Sequence, residues 1–220
     1  MPDVECIEFL DRQVVSRPDR FLRLETLRVR NHYTDGTASR EYPCDVVLAP
    51  GLDAVAVILF TRREGRVDVG LSECIRPPVA LRRDLPLVQP DSREYLSVTE
   101  VVAGRLEGSD VGEGGIARRA AIEAHEEAGF PVEPADAIRL GGGLFSSPGQ
   151  TPEKIHFYAF EVDPATKETP LGDGSPMEGC DTFRFIELAE AIGLCVRGEI
   201  EDPKAEIGFR RLADHLGYSR

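Results

Sequence analysis

The chain has 220 residues, 41% of them hydrophobic, and a formal net charge of −13. That size suits one globular domain with an extension, and the acidity argues against binding a nucleic-acid backbone or an anionic membrane surface, both of which need clustered Lys and Arg. The five cysteines, Cys6, Cys44, Cys74, Cys180 and Cys195, form no CxxC pair and are odd in number, so reduced thiols and a cytoplasmic setting are expected. "MPDVECIEFLDRQ" lacks the basic start and apolar run of a secretion signal. No segment approaches the ~18 apolar residues of a membrane span.

Residues 1 to about 45 read as strands around a "TDGT" turn. "DAVAVILF" at 53–60, the charged turn "TRREGR" and "VDVGLSECIRPPVA" read as a hairpin within a larger sheet. Residues 81–97 are polar and contain prolines, and read as a loop. "YLSVTEVVAG" at 95–104 is a further strand, "RLEGSDVGEGG" an acidic glycine-rich loop, and 116–128 a helix. "AIRLGGGLF" and "KIHFYAFEV" read as strands flanking the loop "SSPGQTPE". An acidic loop over 163–180 precedes the last strand, "DTFRFIEL". Two helices close the chain, "ELAEAIGLCVRG" and, after Asp202-Pro203, "KAEIGFRRLADHL", in which Ile207, Leu212 and Leu216 share a face with Phe209 at its edge. Strands and helices mix without regular βαβ alternation, which favours a mixed sheet flanked by helices.

The helix "AAIEAHEEAGF" places Glu123, Glu126 and Glu127 in its last turn, ahead of a C-terminal Gly129 and Pro131. Like charges three and four apart repel, and the C-terminal end of a helix already carries partial negative charge, so the arrangement costs ~1 kcal/mol. A solvated acidic face tolerates that cost. The alternative is that the carboxylates are ligands. The preceding loop adds Glu107, Asp110 and Glu113, and the strand "VVAG" offers backbone carbonyls; such a set of hard oxygen donors suits Mg²⁺.

Strand, "AG", acidic loop, helix and E-x-x-E-E-x-G-[apolar] together resemble the Nudix box, G-x5-E-x7-R-E-U-x-E-E-x-G-U with U apolar. Glu123, Glu126, Glu127, Gly129 and Phe130 match its second half, with Ala124 at the apolar position. "ECIRPPV", "SSPGQTPE" and "RGEIEDPKAEIGFRRL" are similar to segments of the ADP-ribose pyrophosphatase branch, so the resemblance spans nearly the whole chain. It implies an α/β (α+β) fold, a Nudix-like α/β/α sandwich with a mixed sheet. A strand-rich extension over 1–45 would dimerise, and 46–220 would be the hydrolase domain. Three departures stand out. Ile122 occupies the place of the pattern's arginine, and Arg119, one turn before Glu123, is the substitute. Strict spacing would put the first glycine at Gly108 and the first glutamate at Gly114; the register keeping both residue types uses Gly104 and Glu113 with a lengthened loop. No arginine before the first core strand matches the one that helps hold ADP-ribose.

Carried residue by residue, the resemblance implies Mg²⁺, with Mn²⁺ as the alternative, held by Glu123, Glu127, the carbonyl of Ala103 and Glu113, with Glu126 as ligand or helper. Arg76, Gly104, Ser147, Gly149 and Glu153 would contact substrate. Glu178, with Asp181 as runner-up, would activate water. His125 points elsewhere on the helix. The expected reaction is hydrolysis of a nucleoside diphosphate sugar, ADP-ribose to AMP and ribose 5-phosphate. The alternatives are another nucleotide sugar, such as UDP-glucose or GDP-mannose, and a catalytically silent nucleotide-binding module, which Ile122 favours. A homodimer is expected, and neither nucleic-acid nor membrane partners.

Overall fold

The computed structural model describes residues 2–172 and 182–218. Its elements in chain order are β1 (Val4–Val14), β2 (Arg23–Tyr33), β3 (Tyr42–Leu48), β4 (Ala54–Arg63), β5 (Arg66–Cys74), α1 (Pro77–Ala80), β6 (Val98–Glu100), β7 (Val102–Arg105), α2 (Gly112–Ala128), β8 (Ile138–Arg139), β9 (Leu144–Phe145), β10 (Lys154–Glu161), β11 (Arg184–Glu187), α3 (Leu188–Val196) and α4 (Pro203–His215). The chain divides into two compact units, Met1–Asp53 with Leu144–Ile155, and Ala54–Gly143 with His156–Arg220. The sequence division at residue 45 differs: β3 continues to Leu48, and the segment 144–155 groups with the N-terminal strands.

The first unit is built on an antiparallel meander in the order β1-β2-β3. The β2–β3 turn falls at the "TDGT" signal. Gly36 takes φ +79°, and the Asp35 carboxylate accepts from the Thr37 N–H and hydroxyl. The later segment attaches through backbone polar groups: the Val47 N–H donates to the Gln150 carbonyl at 2.8 Å, and the Lys154 N–H to Asp53 Oδ1 at 3.1 Å. Glu25, buried in this unit, is held by Arg12 and by Arg23 at 2.7 Å.

In the second unit β4 is central. Val55 to Phe60 are at most 1% exposed, because a run of apolar residues can lie between two covered faces. The strands follow the order β11-β5-β4-β10-β8, with β6 beside β5 and β7 beside β4. The β4–β5 turn is Glu64-Gly65, both with positive φ (49° and 81°), the geometry that suits a two-residue hairpin. The expected strand 95–104 is two strands. At Val101 the N–H leaves the ladder and donates to Asp202 Oδ2 at 3.2 Å, so β6 pairs β5 while β7 pairs β4. The expected strand "AIRLGGGLF" likewise reduces to β8 and β9 with the glycines between.

Helix α2 begins four residues before the expected start. Gly115 allows its first turn to rest on the Asp110 backbone, where a Cβ would sit 2.4 Å from the Asp110 carbonyl carbon. Ala120, Ala121, Ala124 and Ala128 form its buried face, packed with Val55, Val57, Leu59, Val102 and Phe160; small side chains bring helix and strands close. In α4 the buried face is Ala205, Gly208, Phe209 and Leu212. That corrects the expected face. Gly208 packs against Ile58, so the helix turns toward Phe209 and leaves Ile207 and Leu216 half-buried.

Gly129 ends α2 in the left-handed region at φ +76°. Its N–H donates to the His125 carbonyl at 2.9 Å and the Phe130 N–H to the Ala124 carbonyl at 3.1 Å, which satisfies carbonyls that a helix end otherwise leaves orphaned. A Cβ here would lie 2.2 Å from the Glu168 carbonyl oxygen. Gly129→Ala is therefore expected to destabilise the chain by at least ~1–2 kcal/mol, read as a lower midpoint in urea unfolding followed by far-UV circular dichroism.

Candidate functional site

The last turns of α2 lie against β7, and two carboxylates meet that strand's backbone. Glu127 Oε2 accepts from the Ala103 N–H at 3.1 Å. The Glu123 carboxyl group fills the space where a side chain at Gly104 would be: a Cβ there would lie 1.9 Å from Glu123 Cδ. Glycine at 104 is thus a requirement of this approach, and the register that uses Gly104 is the one the geometry favours. Ala103, Gly104, Glu123 and Glu127 come together as the sequence pattern implied.

Glu123 is buried, and a buried carboxylate needs a partner. Arg119 Nη1 lies 3.7 Å from Glu123 Oε1, one helical turn away. Arg119 is itself fixed. Its Nε donates to Asp110 Oδ2 at 2.9 Å, and its Nη2 lies 2.9 Å from Glu107 Oε2. Asp110 also accepts from the Glu107 N–H at 2.9 Å and from Arg118 at 3.1 Å. Burial pushes the Asp110 carboxyl up, but the Glu107 N–H and the two guanidinium groups outweigh it and hold it below the usual carboxylate range. Arg119 thus gives Glu123 a cationic neighbour, while position 122 is isoleucine.

A second charged group joins β6 to the starts of α1 and α4. The Arg76 guanidinium forks onto Glu100, Nε to Oε1 at 2.9 Å and Nη2 to Oε2 at 3.1 Å. Lys204 Nζ lies 3.4 Å from Glu100 Oε2 and 2.8 Å from Asp202 Oδ1. Asp202 caps α4 by accepting the Lys204 N–H at 2.9 Å. Glu127 acts electrostatically on both Arg76 and Cys74, so the two charged groups share one neighbourhood. Burial drives the Cys74 thiol up to about 11, which keeps it protonated and a poor nucleophile at neutral pH. Glu100, Asp202 and Lys204 are the residues the sequence reading missed. One signal was legible, the Asp-Pro pair that marks a helix N-terminus. The pairing of that terminus with residue 100 was not, because it joins positions about a hundred apart in the chain.

Other sequence candidates lie elsewhere. Glu113 sits in the first turn of α2, about 15 Å along the axis from Glu123, and its exposed carboxylate pairs with Arg139; the structure does not bring it to the Glu123–Glu127 pair. Glu126 is exposed. His125 faces away and bonds Glu168 at 3.1 Å. Ser147, Gly149 and Glu153 belong to the first unit. There the Ser147 carbonyl closes a turn onto Gln150 and Thr151, and Glu153 accepts from Ser146 Oγ at 2.8 Å. Gly149 lines a cavity of about 620 Å³ in that unit, with Phe9, Leu27, Val46, Phe145 and Pro148. Glu178 and Asp181 lie outside the described residues.

Among the described residues no three His, Cys, Asp or Glu side chains are grouped as a metal cage. The donors present are nonetheless all oxygen, two carboxylates on a strand backbone whose glycine leaves room for one of them. Mg²⁺ is commonly held by one or two carboxylates plus substrate phosphate and water, and the residues fit that mode.

No protein-family model matches this sequence, and no curated protein matches it. Among solved structures, one described as an ADP compounds hydrolase aligns over 100% of both chains with a TM-score of 0.61 at 15% identity. The fold is Nudix-like. A C. elegans Ap4A hydrolase in a binary complex aligns with 76% of this chain and 99% of its own, with a TM-score of 0.45 at 12% identity.

The charge clusters have a pH signature. Asp110 and Glu100 are both held below their ordinary values, so the stability they contribute is complete above the usual carboxylate range, near pH ~4, and is lost as pH falls through their depressed values. Asp110→Asn is expected to lower the unfolding midpoint at neutral pH and to narrow the gap from wild type as the solution is acidified, measured by thermal melts across an acid series.

Proposed function

We propose that this chain hydrolyses the pyrophosphate bond of nucleoside diphosphate derivatives, with ADP-ribose as the leading substrate and AMP and ribose 5-phosphate as products. The observation that carries the reading is the seating of Glu123 on the Gly104 backbone beside Glu127 on the Ala103 N–H. A helix has no structural need for two carboxylates at its negative end, and this pair is aimed at a strand rather than at water.

Glu123 and Glu127 would hold Mg²⁺, or Mn²⁺ in its place, which when bound offsets the charge of a diphosphate and acidifies water. The chain's own residues supply the rest. Arg119 keeps Glu123 in one orientation through the Asp110 and Glu107 contacts. Arg76 spends Nε and one Nη2 hydrogen on Glu100, leaving its other donors, Nη1 among them, for a phosphate. Water attacks one phosphorus, the bridging P–O bond breaks, and the proton passes to a carboxylate, for which Glu178 is the proposed acceptor. A substrate panel of ADP-ribose, UDP-glucose and GDP-mannose, read as phosphatase-releasable phosphate with Mg²⁺ and with EDTA, tests the reading. Turnover of at least one substrate that EDTA abolishes is expected. Glu127→Gln should cut the rate about a hundredfold or more with the fold retained, and Gly104→Ala should do likewise by displacing Glu123. The second reading, a silent nucleotide-binding module, rests on Ile122; binding without turnover of any panel member would establish it.

We also propose a homodimer formed through the first unit. Edge strand β1 is exposed at almost every residue, with Ile7 and Phe9 51% and 68% exposed, and an exposed strand edge invites pairing. Solution scattering should give twice the mass of the 220-residue chain, and a monomer would exclude it. A reducing, cytoplasmic setting is proposed as well, and the odd, unpaired cysteine usage supports it.

A further inference from the structure

Helix position alone does not favour a cation at residue 204. Lys204 stands in the first turn of α4, the end of a helix that repels cations, and its side chain is only 20% exposed. Its ammonium nevertheless touches two buried carboxylates, Asp202 Oδ1 at 2.8 Å and Glu100 Oε2 at 3.4 Å. The same Glu100 oxygen takes Arg76 Nη2 at 3.1 Å. Glu100 is therefore shared between a lysine behind it and an arginine in front of it. Asp202 in turn anchors the strand, accepting the Val101 N–H one residue after Glu100. The chain of contacts runs Asp202, Lys204, Glu100, Arg76, with Glu127 close enough to act on Arg76 electrostatically.

We infer that Lys204 is a positioning residue that sets the direction of the Arg76 guanidinium through Glu100, and so the affinity of the site for a diphosphate. This deepens the reading above and rests on it. The physical argument is one of restraint. Glu100 beside Arg76 alone can rotate about its side-chain torsions and take the guanidinium with it. A second cation, fixed by the capping aspartate of α4, holds one carboxylate oxygen in place and leaves only the forked geometry toward Arg76. Without Lys204, Glu100 and Asp202 are two buried carboxylates with nothing between them, and their repulsion turns Glu100 away.

The test is a double-mutant cycle on ADP binding, measured by titration calorimetry on the full chain with Mg²⁺ present. Arg76→Ala is expected to weaken ADP binding about tenfold or more. Lys204→Met, which keeps the apolar stem, should cause a comparable loss in the wild-type background and almost none in the Arg76→Ala background; Lys204→Arg should restore most of the affinity. A residue that merely stabilised the fold would give losses that add in the two backgrounds, and additive losses overturn the inference while leaving the hydrolase reading intact. Where Lys204→Met does not fold, Glu100→Gln in the same two backgrounds is read by the same rule. Wild-type protein that binds no ADP overturns this inference and removes ADP-ribose as the substrate, while turnover of another panel member would leave the hydrolase reading standing.

Discussion

The contact on which the site depends is a carboxyl group lying on a glycine. Glu123 occupies the volume that any side chain at position 104 would claim. That single vacancy sets how closely α2 approaches β7, and hence where Glu127 finds the Ala103 N–H. The alanine face of the helix serves the same end. With Ala120, Ala121, Ala124 and Ala128 as its buried residues, α2 comes near the strands without large side chains holding it off. Backbone proximity, small residues and a pair of acids are one device. Altering any of them moves the others.

Burying acids in this way creates an electrostatic demand that two separate sets of cations meet. Arg119, pinned by Asp110 and Glu107, faces Glu123; Arg76 and Lys204 flank Glu100. The two sets differ in construction. The first is local, contained in one loop and one helix. The second joins the start of α1, β6 and the start of α4, and holds together parts of the chain far apart in sequence. The repulsion expected among Glu123, Glu126 and Glu127 is resolved by geometry: Glu123 points to an arginine, Glu127 to a backbone amide, and Glu126 to solvent.

Much of this was legible in the sequence where the signal is local. The β4–β5 hairpin followed from an apolar run and a charged turn. The end of α2 followed from Gly129 and Pro131, and the Gly104 register from the "AG" dipeptide. The proximity of Arg119 to Glu123 followed from helical spacing. What was hidden is non-local. The break at Val101 exists because Asp202 takes its N–H, and nothing in "SVTEVVAG" announces a partner so distant in the chain. The resemblance implied Glu113 as a ligand, but the helix starts early enough to place it at the far end with Arg139. The α4 face was misjudged because a glycine, Gly208, is the residue that packs on Ile58, and hydrophobic periodicity does not count glycines as contacts.

The discontinuity of the first unit bears on how the chain is made. Its segment Leu144–Ile155 leaves the ribosome about 90 residues after Asp53, some 5–20 seconds later at ordinary synthesis rates. Throughout that interval the Val47 N–H and the Asp53 carboxylate wait for Gln150 and Lys154, and the apolar wall of Leu27 and Val46 has no Phe145 or Pro148 to complete it. The meander of this unit is thus translated well before the segment that completes it, and a nascent chain stalled before residue 144 lacks those partners.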